Sequence, residues 1–73
     1  FTERHRLDTL PAEIDRLGAE IARLGALLAD PALFGRDPAR FRRATEALSE
    51  RQDQLARAEE EWLSLAEKAE AAV

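Results

Sequence analysis

Seven apolar residues, Leu7, Leu10, Ile14, Leu17, Ile21, Leu24 and Leu28, recur at gaps that alternate three and four without a miss. An α-helix brings such positions onto one side, and the strict 3.5-residue period makes that stripe a coiled-coil seam. Leu7, Ile14, Ile21 and Leu28 take heptad position a; Leu10, Leu17 and Leu24 take d. A second series has the same spacing: Phe41, Ala44, Leu48, Arg51, Leu55, Ala58, Trp62, Leu65 and Ala69. Its a positions are Phe41, Leu48, Leu55, Trp62 and Ala69, and its d positions are small or polar except for Leu65. Two stripes joined by a short connection must cover one another, and short connections make neighbouring helices antiparallel. The expected fold is all-α: a two-helix antiparallel coiled-coil hairpin with a short helical turn at its tip.

Proline and glycine set the expected boundaries. Pro11 has no N–H to donate and is tolerated in a first turn, so the first helix is expected over 11–29. Residues 1–10 then form a lead-in segment from a parent protein, as a separate short helix or an extended stretch bent at Pro11. The tip, 30–37, holds Asp30-Pro31 and Gly35. The Asp-Pro pair predicts a capped helical turn, and Gly35 a left-handed stop. Leu33 and Phe34 are expected to fold in and close the end of the seam. Asp37-Pro38 is a second cap-then-proline signal and starts the second helix, expected over 38–71, so the hairpin occupies 11–73. Setting Leu28 against Phe41 places Ile21 near Leu48, Ile14 near Leu55 and Leu7 near Trp62. The second helix spans ~50 Å and the first only ~28 Å at 1.5 Å per residue, so residues 1–10 have to cover the difference, with Leu7 under Trp62. Gly18 and Gly25 fall at e, beside the seam, as weak helix positions or as places where the partner helix comes close.

A 73-residue chain buries a small core and usually needs a staple or very regular packing. Cys is absent and His5 stands alone, which excludes a disulfide and a histidine metal centre. Regular packing remains, in keeping with a composition that is 36% charged. No apolar run approaches the ~20 residues of a membrane span, and no signal peptide is visible; the expected location is the cytoplasm. Phe1 in place of Met points to a piece of a longer protein.

Chemistry-bearing residues are few. Glu59, Glu60 and Glu61 form an acidic run with nothing basic or nucleophilic patterned around it, so it reads as a solvated helix face. His5 lies between Arg4 and Arg6 as a surface residue. Trp62, in register at a, is expected in the core, with ligand stacking as the other use of its ring. Arg51, at d, can lay its stem along the seam and reach Asp15 or Glu20, helping to fix register. Arg42–Glu46 and Asp53–Arg57 have i,i+4 spacing. The phosphate-cradling GxxxxGK[ST] pattern is absent. No catalytic residue and no cofactor of the chain's own are expected.

The net charge of -4 is unevenly spread. Arg36, Arg40, Arg42 and Arg43 against Asp37 make residues 36–43 positive by three and leave the rest negative by seven. Guanidinium groups suit phosphate through paired hydrogen bonds. These four arginines are the candidate nucleic-acid contacts; the plain alternative is a solubilising tip.

The runs LPAEIDRLGAEIARL, LADPALFGRDPARF and EEEWLSLAE resemble the C-terminal domain of ABC-F ATP-binding cassette proteins of the Uup type. The similarity covers about Leu7 to Glu67. It is most specific at the tip, where two Asp-Pro pairs bracket Leu33-Phe34 and Phe41 follows, and Glu60, Glu61 and Trp62 support it. Gly18 and Gly25 depart from the helix-favouring residues usual there, and Arg outnumbers Lys. The resemblance implies a soluble parent ATPase with two cassettes that use ATP and Mg, acting on ribosomes or nucleic acid. It further implies that this hairpin is a DNA-binding accessory arm. Ribosomal RNA is the other nucleic acid it leaves open. The resemblance carries no fixed set of binding residues, so the four arginines rest on charge and spacing alone. Two rival readings rest on the residues themselves: a protein-interaction or self-association module giving a weak dimer, since two helices leave much of each exposed and Leu27 and Leu63 lie outside the seam, and a regulator that docks on the parent's cassettes through the acidic half of the second helix.

Overall fold

The computed structural model describes residues 2–72. Three helices follow one another: α1 (Thr2–Leu28), the single turn α2 (Leu33–Arg36) and α3 (Pro38–Ala71). The two long helices lie antiparallel as a hairpin, and α2 closes the tip against α3. Three ion pairs cross between the long helices: Arg6–Glu61 at 2.6 Å, Arg51–Glu20 at 3.2 Å and Lys68–Glu3 at 3.1 Å. Each falls within two residues of the register that sets Ile14 against Leu55.

The first helix does not begin at Pro11. It runs unbroken through it for 27 residues. Proline there leaves the Leu7 carbonyl without its helical donor. Just upstream the Thr9 hydroxyl donates to the His5 carbonyl at 3.0 Å and the Arg6 carbonyl at 3.3 Å. The segment stays helical because its packing outweighs one lost hydrogen bond. Leu10 is fully buried, and Arg6 and Glu3 are tied to α3. Residues 2–10 are thus the first turns of α1 rather than a separate element.

The core is a thin strip. Leu10, Leu17 and Ala58 are buried together, with Ile14, Leu55 and Leu65 half-buried against them. Full burial of each leucine is worth about 1.5–3 kcal/mol. The small d residue Ala58 makes room for those leucines. Leu33 and Ala44 are the buried residues at the tip end.

Two aromatic expectations are corrected. Trp62 stays 38% exposed, and Leu7 lines a shallow groove with Leu65, Lys68 and Ala69. Two helices shield only the side of a seam that faces the partner, and an indole extends beyond it. At the tip Leu33 folds in as expected, but Phe34 remains 63% exposed. One helical turn sends adjacent residues about 100° apart, so α2 cannot bury both. No described glycine has positive φ. Gly35 is therefore no left-handed stop; it lies within α2, and the chain breaks at Asp37, with φ -149° and ψ 79°. The Asp37 carboxylate then accepts from the Arg40 N–H at 3.1 Å and caps α3, with Pro38 in the first turn. Asp30 is not the cap of α2, which starts after Ala32; its carboxylate accepts from the Ala32 N–H at 3.0 Å and holds the turn. No described helix is long and apolar enough to cross a membrane.

Candidate nucleic-acid interface

All four candidate arginines are exposed at the tip. They are not equivalent. Arg36, at the end of α2, reaches back to Asp30 at 3.2 Å, so one charge of the cluster is balanced locally. Arg40, Arg42 and Arg43, on the first turns of α3, form no ion pair among the described residues. The Arg42–Glu46 pairing does not close, nor does Asp53–Arg57. Elsewhere Arg4, Arg6, Arg16, Arg51 and Lys68 each hold a carboxylate. Among the described residues, three of the five arginines without one therefore fall within four consecutive positions.

Helical geometry divides the three. Successive residues turn by about 100°, so Arg40 and Arg43 stand as neighbours on one flank, three positions apart. Arg42 points to the opposite flank. There it lines a groove with Phe34, Pro38, Phe41 and Thr45. The rings of Phe34 and Phe41 meet edge to face, 5.2 Å between centroids at 87°, a favourable arrangement that holds the exposed ring in place. The groove is not legible in the sequence, where Phe34 reads as folded inside beside Leu33. The Asp37-Pro38 break between α2 and α3 was the one signal that could have exposed it.

The remaining charged groups serve the hairpin. Arg51 reaches Glu20 and Glu50, not Asp15; the hydrogen bond it donates to the Glu20 carboxylate raises its pKa above the usual guanidinium value. Arg6 bridges Glu61 and Glu13. Its hydrogen bonds hold the Glu61 carboxyl below the usual carboxylate range, and Glu61 in turn raises Arg6. Of the acidic run, Glu61 is thus a cross-helix strut, while Glu59 and Glu60 are exposed. No described cluster of His, Asp or Glu is arranged to hold a metal ion.

The model of the ABC transporter C-terminal domain family matches residues 1–67, nearly the whole chain. The chain belongs to that family. No curated protein and no solved structure matches it. As an ABC transporter C-terminal domain it is an accessory part of an ABC protein, built as a helical hairpin with a cluster of unpaired arginines at the tip.

Proposed function

We propose that this domain is a nucleic-acid-binding arm of an ABC-F type ATPase, the Uup type being the sequence resemblance that supports the subtype. Arg40, Arg42 and Arg43 hold phosphates without reading sequence, and Arg36 assists once Asp30 releases it. The observation that carries the reading is the gathering of three uncompensated guanidinium groups at the tip of an otherwise acidic rod. Groups of this kind bind phosphate with release of counterions, so affinity falls with salt. The cassettes would supply ATP and Mg chemistry in the cytoplasm; the hairpin brings no catalytic group of its own.

Fluorescence anisotropy of labelled duplex DNA and structured RNA, titrated with this chain at low and moderate salt, tests the assignment. Binding is expected to weaken with salt and to be lost when Arg40, Arg42 and Arg43 are together changed to Glu, with helix content by circular dichroism unchanged. Binding that survives the triple change removes the tip from the function. A second reading, a protein-docking or self-association module, is favoured by Trp62 and Leu63, which stand 38% and 54% exposed beside Glu59 and Glu60. Absence of binding even at low salt would transfer the function to that face, with the cassettes or the ribosome as partner.

A further inference from the structure

Phosphate binding accounts for the arginines but not for the aromatic beside them. Phe34 keeps 63% of its surface in water on a molecule that buries few large side chains. Burying such a ring is worth about 1.5–3 kcal/mol, and the fold forgoes most of that. The ring is nonetheless held in position. Leu33, its neighbour in α2, is anchored in the core, and Phe41 packs edge to face against Phe34 from α3. Arg42, without a carboxylate partner, lines the same groove, as does Thr45. The Thr45 hydroxyl itself is engaged by the Phe41 carbonyl at 2.9 Å. The groove thus offers two aromatic rings fixed against each other, of which Phe34 is the more exposed, one free guanidinium and almost no other polar group.

Resting on the nucleic-acid reading above, we infer that the Phe34–Phe41–Arg42 groove takes an unpaired nucleotide, its base against Phe34 and its phosphate on Arg42. Every base has an apolar face that stacks on an aromatic ring whatever its identity, and strands without a partner expose that face. A continuous duplex hides its base faces inside the stack, so a duplex can engage the arginines but not the phenylalanine. The absence of directed donors and acceptors in the groove predicts no preference among bases. Arg40 and Arg43, on the other flank, hold the backbone in either case. The ligand class is therefore single-stranded, looped or bulged nucleic acid, and the sugar is not read by this groove.

The test compares three labelled probes by anisotropy at low salt: a 15-residue thymidine strand, a 15-residue uridine strand and a 15-base-pair blunt duplex. Three Phe34 variants are used, each checked for helix content. Phe34→Ala is expected to weaken both single strands by roughly 5- to 100-fold, the range of one stacked base, and the duplex by less than about twofold. Phe34→Leu, which keeps the apolar bulk but no ring, should lose as much as Phe34→Ala. Phe34→Trp should retain or improve single-strand affinity. Arg42→Gln should weaken the single strands more than the duplex. Equal affinity of the Phe34→Ala and unaltered chains for the single strands overturns the inference while leaving duplex binding, and the proposed function, intact. Full affinity in Phe34→Leu also overturns it, since apolar contact would then suffice. A loss that is equal for strands and duplex overturns it too. Failure of the unaltered chain to bind any of the three probes removes the proposed function together with the inference.

Discussion

A Cβ built on Gly25 meets nothing within 4 Å, and the same holds at Gly18. Both glycines are helical with ordinary φ, so neither serves a close helix approach. They are simply weak positions. Gly25→Ala is expected to raise stability by about 0.5–1 kcal/mol, as read from urea or thermal unfolding followed by circular dichroism. Arg51 was legible at this scale, since a cation at d with acids one helix away has few other uses; which acid it takes, Glu20 over Asp15, needed the crossing geometry. Trp62 and Phe34 were not legible. Their spacing says which way each side chain leaves the backbone, but exposure depends on how much a partner helix covers, and a single facing helix covers less than a heptad pattern implies.

The long helices show where local signals prevail and where packing overrules them. Asp37-Pro38 starts α3 because the cap and the proline act within one turn and nothing else competes. Pro11 carries an equally local signal, yet α1 continues through it. Leu7 and Leu10 on its upstream side extend the seam, and a break would strip the cover from the last turns of α3. The heptad series already began at Leu7, four residues before the proline, so the contradiction was written in the sequence; deciding it required weighing a buried Leu10 against one missing hydrogen bond. The proline remains a cost. Pro11→Ala restores the donor to the Leu7 carbonyl and should stabilise the hairpin by about 1–3 kcal/mol, with protection of the 7–15 amides from hydrogen exchange increasing.

Across the whole molecule the stability is spread thinly. The extents are 56 × 16 × 14 Å and the radius of gyration is 16.5 Å, against about 11 Å for a compact domain of this length. Such a shape buries little, so the cross-helix struts matter more than they would on a globular surface, although half-exposed pairs are individually weak and salt-sensitive. Glu61 titrates below its unfolded value because Arg6 donates to its charged form. The unfolded chain therefore binds the proton first as pH falls. The contribution is present above about pH 4.5, the ordinary carboxylate value, and is lost as pH drops through the lowered folded value. Melting temperature should accordingly fall more steeply between about pH 5 and pH 3 in the unaltered chain than in Glu61→Gln.

The hairpin brings Glu3 and Lys68 together at one end and leaves the arginines and Phe34 at the other. A rod 56 Å long acts as a lever when it is held at that base. A swivel of about 10° where it is attached sweeps its far end through roughly 10 Å, about the width of a helix, with no change inside the rod itself. The position of the tip would then be set by the angle at which the base is held more than by any contact within the hairpin.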